Sequence, residues 1–248
     1  MKRFDNYSVL VTGASSGIGL AAARLFAEDG ARVAMIGRNE NRLKDAFSML
    51  AGAGHWWKKC DLAMEEEVES MVKEAAANLG ALDAVALCAG SHAIRPLRMA
   101  KNRYYLEMYE KNVLTAMSVA RCFSNVAKAT GASIVFVSSA VALRGGAGVT
   151  PYAAAKGALL SVSRALAMEL APKKIRVNVV VPGVVDTPMT EKYFKSMPSA
   201  SVDMIRQSHP LGLGKAEDVA AAIAFLSSSD ARWITGAELV IDGGLSIR

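Results

Sequence analysis

A five-residue apolar run, Ser8 to Thr12, passes directly into Gly13-Ala-Ser-Ser-Gly17-Ile-Gly19 and then into a helical pattern, Leu20 to Asp29, closed by Gly30. No other stretch limits the possible folds as much. A buried strand joined through glycines to a helix is the opening unit of an α/β chain whose strands run parallel and alternate with helices. Glycines allow the tight turn and let backbone N–H groups approach a pyrophosphate, whose charge suits the positive end of the following helix. Glycine turns also join strands to helices that bind nothing. Position is what marks this one, because dinucleotides bind at the carboxyl ends of parallel strands.

The alternation continues along the chain. Strands are expected at Arg32 to Gly37, His55 to Cys60, Ala81 to Cys88, Ile134 to Val137, Ile175 to Val181 and Ala237 to Ile241. Helices are expected at Glu40 to Ala51, from near Glu65, at Asn102 to Thr130, from Pro151 to about Leu170, and at Glu217 to Ser228. With 248 residues, 52% of them hydrophobic, there is apolar material for one large core. The reading is a single Rossmann-type domain over residues 1–248, a doubly wound parallel sheet of about seven strands with helices on both faces. Residues 187–209, polar and interrupted by Pro188 and Pro198, read as a mobile substrate lid.

Composition removes several function classes. Lys and Arg exceed Asp and Glu by six, but they are scattered and not interleaved with aromatics, which argues against nucleic acid as a partner. Cys60, Cys88 and Cys122 lack metal-ligand spacing and suit reduced packing thiols, so no metal is expected. No stretch is long enough to span a bilayer and no signal-peptide pattern is present, so a soluble cytoplasmic protein is expected. His55, Trp56 and Trp57 read as packing residues.

Tyr152 and Lys156 stand four apart in a run of good helix formers, so both side chains leave one helical face. An unperturbed phenol, with a pKa of about 10, is a poor acid or base at neutral pH, and a neighbouring ammonium pulls that value down. Ser139, at the end of the Ile134 strand, presents a hydroxyl to the same volume. Such Tyr–Lys pairs also occur on ordinary amphipathic helices. The glycine turn is what gives this one weight. Asn112 sits inside a helical run, where Asn has low propensity and needs a reason.

Arg38, just past the second strand, offers a guanidinium where an acidic residue would bind ribose hydroxyls, favouring a 2′-phosphate and hence NADPH over NADH. Asp61, followed by Leu62, either accepts from an adenine amino group or caps the next helix. Ala89 and Gly90 leave space for a ribose, and the turn at Pro182-Gly183, with Val185 and Thr187, offers backbone and hydroxyl partners to a carboxamide. His92, Arg95 and Arg98 follow a strand end, where they could face a substrate, but they read first as solvated loop cations.

Together these residues resemble the short-chain dehydrogenase/reductase family over essentially the whole chain. Thr12 to Gly19, including Ser15, Ser16 and Ile18, is similar to its cofactor turn, and Asp61-Leu62 to its adenine-side motif. Ser139 lies thirteen residues before Tyr152, and Asn112, Ser139, Tyr152 and Lys156 match the family's catalytic tetrad. Pro182-Gly183 and Thr187 match its nicotinamide-carboxamide turn. One departure is visible: Leu87-Cys88 stands where the family usually carries Asn-Asn, removing those side-chain hydrogen bonds.

Within the family, Pro210 to Asp218 and Gly236 to Gly244 resemble the 3-oxoacyl-carrier-protein reductases. The resemblance implies NADP(H)-dependent reduction of a ketone, possible engagement of an acidic acyl-carrier protein, and a homotetramer. Lys128, Lys173 and Lys174 are candidates for a carrier-protein patch near the active-site mouth. Alternatives are another ketone or secondary alcohol (sugar, steroid or small metabolite), NAD(H)-dependent oxidation, and a non-catalytic dinucleotide-binding regulator.

Overall fold

The computed structural model describes residues 2–247. The chain opens with β1 (Ser8–Thr12), α1 (Gly17–Glu28), β2 (Arg32–Gly37), α2 (Glu40–Phe47), β3 (Trp56–Lys59), α3 (Glu65–Leu79) and β4 (Ala84–Leu87). It continues through α4 (Asn102–Tyr109), a π turn (Glu110–Leu114), α5 (Thr115–Val126), β5 (Ser133–Val137), α6 (Val141–Arg144), α7 (Thr150–Leu170) and β6 (Arg176–Pro182). The last part holds β7 (Val185–Asp186), α8 (Pro188–Phe194), α9 (Ser199–Gln207), β8 (Gly214–Lys215), α10 (Ala216–Ser227) and β9 (Glu238–Ile241).

Among the described residues, seven strands form one sheet in the order β3-β2-β1-β4-β5-β6-β9, every ladder of it parallel. The small β7 and β8 pair separately. The strand residues explain why both faces must be covered. Leu10, Ile36, Val85, Ile134, Phe136 and Val179 face one apolar cluster with α3, α5 and α7; Val9, Val33, Ala86, Val135 and Val180 face another with α1 and α10. Alternate side chains point to opposite faces, so strands apolar at nearly every position need helices on both sides. Burying one side chain such as Phe136 or Ile134 contributes roughly 1.5–3 kcal/mol. The order reverses between β1 and β4, which opens a crevice at their carboxyl ends.

Three expectations are corrected. The run from Asn102 to Thr130 is not one helix: the π turn interrupts it, and Ala127 becomes extended and bridges Leu82. Tertiary pairing there overrides a helix-compatible sequence. The strand expected from Ala81 pairs regularly only over Ala84–Leu87. Pro188 and Pro198 start helices instead of interrupting the lid, Pro188 as the first residue of α8 and Pro198 as the N-cap of α9. Among the described residues no helix is long and apolar enough to cross a membrane.

Candidate active site

The glycine turn lies against the end of β4. A Cβ on Gly13, whose φ is +65°, would fall 2.9 Å from the Ala89 backbone, and one on Gly19 would fall 2.4 Å from the Gly13 carbonyl oxygen. Gly13, Ser15, Ser16, Gly17, Ile18 and Gly19 border a cleft of about 460 Å³, and Arg38, Asp61, Leu62, Ala89 and Gly90 line its other walls. A second cavity, about 560 Å³, holds Asn112, Ser139, Tyr152, Lys156, Pro182, Gly183, Val185 and Thr187. Ile18, Cys88, Gly90, Ser91, Thr187 and Met189 border both. The cleft and the cavity are thus adjoining parts of one trough, and every residue expected at the site lines one or the other.

The reacting end is built from β5 and α7. Ser138 Oγ donates to the Lys156 carbonyl (2.8 Å), pinning the strand end to the helix. Lys156 is buried and its Nζ donates to the Val137 carbonyl (2.8 Å) while standing 5.9 Å from the Tyr152 ring centroid. Burial pushes the Tyr152 phenol up to about 12, opposed by a hydrogen bond with Ser139. Burial also pulls the Lys156 ammonium down to about 8. The expected depression of the phenol by Lys156 is therefore corrected: the shift is upward. Desolvation outweighs the Ser139 hydrogen bond, and the Lys156 ammonium is engaged by the Val137 carbonyl.

Asn112 owes its place to the π turn. Its Nδ2 donates to the Met108 carbonyl (2.9 Å) and its Oδ1 accepts from the Ser91 N–H (3.1 Å), so the side chain ties the helix to the loop after β4. A Cβ on Gly90 would fall 2.8 Å from Asn112 Oδ1 and 3.3 Å from Lys156 Nζ. The Leu87-Cys88 departure leaves this segment anchored: Thr12 Oγ1 accepts from the Ala89 N–H (3.1 Å). Burial raises the Cys88 thiol to about 12 and the Cys60 thiol to about 11, which keeps both protonated.

Asp61 does not cap α3, whose N-cap is Met64; its Oδ1 accepts from the Ala63 N–H (3.2 Å), and its own N–H is held by Glu67. Thr187 caps α8 by accepting from the Thr190 N–H (3.3 Å), with its methyl 3.3 Å from where a Gly17 Cβ would be. His55 is a packing residue, accepting from the Val33 N–H at Nδ1 (3.1 Å). Arg95 stacks on Tyr104, 4.8 Å from the ring centroid. Lys128 and Lys174 line a separate cavity with Gly131, Ile175 and Arg176, at the amino ends of the strands and so opposite the cleft of the same chain.

Sequence reasoning missed three contributors and set a fourth, His92, aside. Arg42 joins Arg38 at the cleft, legible as a second arginine in the first turn of α2. Ser91 Oγ is buried with no hydrogen-bond partner among the described residues, for which the sequence carries no signal. His92 lines the cavity instead of facing solvent. His209, buried, accepts from the Val184 N–H at Nε2 (3.1 Å) and places Nδ1 2.8 Å from the Ile205 carbonyl, joining α9 to the Pro182 turn.

Comparison with known proteins gives concordant results. A family model described as enoyl-(acyl carrier protein) reductase matches residues 13–246. A 3-oxoacyl-[acyl-carrier-protein] reductase of Bos taurus is 38% identical over 239 residues, spanning 96% of this chain and 97% of that protein. A cis-4-hydroxycyclohexanecarboxylate dehydrogenase of Sinomonas cyclohexanicum is 36% identical, with 97% of each chain covered. A crystal structure described as a short-chain dehydrogenase/reductase, glucose/ribitol dehydrogenase, from Brucella melitensis superposes with a TM-score of 0.92 at 31% identity, covering 98% of both chains.

Proposed function

The chain belongs to the short-chain dehydrogenase/reductase family of oxidoreductases, and from that membership we propose that it is an NADPH-dependent ketone reductase, with a 3-oxoacyl thioester as its leading substrate class. The observation that carries the reading is the convergence of Ser139, Tyr152, Lys156 and Asn112 on one cavity that adjoins a glycine-walled cleft. The family uses a nicotinamide dinucleotide, and the residues here fit one. The Gly13–Gly19 cradle leaves no room for a Cβ at two of its glycines, and the idle buried hydroxyl of Ser91 lies where both cavities meet.

When bound, a nicotinamide dinucleotide supplies or accepts a hydride. Gly13, Ser15, Ser16, Gly17, Ile18 and Gly19 would hold its phosphates, Asp61 and Leu62 its adenine, and Ala89, Gly90 and Lys156 its nicotinamide ribose. Pro182, Gly183, Val185 and Thr187 would hold the carboxamide. Arg38 and Arg42 make no ion pair among the described residues and border the cleft, which favours a 2′-phosphate.

Ser139 would orient the substrate carbonyl. As the carbonyl carbon gains hydride and its π pair becomes negative charge on oxygen, the protonated Tyr152 phenol would donate its proton there, giving the alcohol. Asn112 would hold the Gly90–Ser91 segment beside Lys156. The trough residues equally serve another ketone or secondary alcohol. The dehydrogenase name of the Sinomonas relative favours keeping that second reading.

The test is nicotinamide absorbance with a 3-oxoacyl thioester and a panel of unrelated ketones, using NADPH and NADH with the wild type and Arg38→Ala. We expect rapid NADPH oxidation with the thioester, and an Arg38→Ala variant that weakens NADPH at least tenfold more than NADH. Silence on every ketone would remove the reductase reading, and equal losses for both dinucleotides would remove the 2′-phosphate contact.

A further inference from the structure

His92 is the middle ring of three. It meets Tyr152 edge to face, with centroids 4.7 Å apart and planes at 73°, and meets Tyr193 of α8 in the same way, at 4.8 Å and 66°. The stack runs from the reacting phenol to the helix that covers the cavity, and two ring contacts fix the imidazole between them. Neither ring nitrogen has a hydrogen-bond partner among the described residues, although His92 is half-buried and lines the cavity. Burial lowers its pKa, so near neutrality the ring is uncharged, with one N–H donor and one acceptor.

The remaining lining narrows what that idle donor can meet. No Asp or Glu borders the cavity; Val141, Val149, Met189, Met197, Met204 and Ile205 make much of its wall apolar. Polar groups in such walls set the orientation of a ligand. Ser139 and Tyr152 suffice for one carbonyl oxygen. A further donor stacked directly against Tyr152 calls for a second acceptor close to the first in the same molecule.

We propose that His92 is a substrate-recognition residue that donates to the second carbonyl of a 1,3-dicarbonyl substrate, so that the site selects 3-oxo thioesters over simple ketones. This rests on the ketone-reductase reading and deepens it. The selectivity arises because a mono-ketone leaves the imidazole N–H without an acceptor inside an apolar wall, whereas a 3-oxo thioester satisfies it.

The test compares wild type, His92→Phe, which keeps a stacking ring without nitrogens, and His92→Gln, which keeps an N–H donor without the ring. Substrates are acetoacetyl-N-acetylcysteamine and 2-heptanone, each with NADPH. In His92→Phe, kcat/KM for the thioester should fall at least about tenfold further than kcat/KM for 2-heptanone, mostly through KM, with His92→Gln restoring part of the ratio. Calorimetric binding of the product 3-hydroxybutyryl-N-acetylcysteamine should weaken in parallel in His92→Phe.

Equal losses on both substrates, or an unchanged ratio, would show that His92 only packs, and would overturn the proposal. A wild type that reduces 2-heptanone but not the thioester would overturn it too, leaving the reductase reading intact. A wild type inactive on both and on the wider ketone panel would remove that reading and this proposal with it.

Discussion

The phenol of Tyr152 and the ammonium of Lys156 are shifted in opposite directions by the same cause, removal from water. A phenol held at about 12 stays protonated throughout the working range, which is the form a proton donor needs. Lysine differs: with its value lowered to about 8, its charge is present below that pH and lost above it. If a charged Lys156 is what receives the dinucleotide, kcat/KM for NADPH should be flat from about pH 6 to 7.5 and fall above about pH 8, approaching tenfold per unit. A profile flat to pH 10 would reject that role. Tyr152→Phe should lower turnover by about 10²–10⁴-fold at every pH while dinucleotide affinity changes only a few-fold. At this scale the sequence was informative about identity and weaker about state. The pairing of Tyr152 with Lys156 followed from helical spacing, but the direction of the phenol shift depends on burial, which outweighs the opposing Ser139 hydrogen bond and is not a local property of the sequence.

Elements fix how tightly these residues are held. Gly19 approaches the Gly13 carbonyl so closely that a Cβ would overlap backbone, which cannot swing aside as a side chain can. We expect Gly19→Ala to destabilise the fold by about 1–3 kcal/mol in urea unfolding and to cost the dinucleotide at least tenfold in affinity. An unchanged midpoint and affinity would contradict this account of the turn. Period and punctuation made the first strand, its glycine turn and α1 readable, because burial on both sheet faces leaves continuous apolar runs. The π turn was not readable. Asn112 marks it only by being an awkward helix residue, and the extra residue in the turn is stabilised by a local bond to Met108 and a tertiary bond to Ser91. The lid helices were obscured in the same way, since a proline can interrupt a helix or start one.

At the scale of the molecule, apolar side chains remain exposed along the helices beside the site: Leu106 and Leu114 on α4 and the π turn, and Met168 on α7. The family resemblance points to further copies of this chain as their cover. Light scattering on the purified protein should give a mass four times that of the chain, and Leu106→Asp should reduce it; a monomeric wild type would reject the assembly. The fold was legible at this scale because strand and helix alternation admits few topologies, whereas the meeting of two cavities is a three-dimensional fact with no counterpart in spacing. Gly90 sits at that meeting, and unlike Gly13 or Gly19 its missing side chain leaves room for side-chain atoms alone, those of Asn112 and Lys156. In the language of inheritance, a single base change at codon 90, giving Gly90→Ala, is expected to weaken the activity of a product that is still made and folded, as turnover and thermal melting of that variant would check.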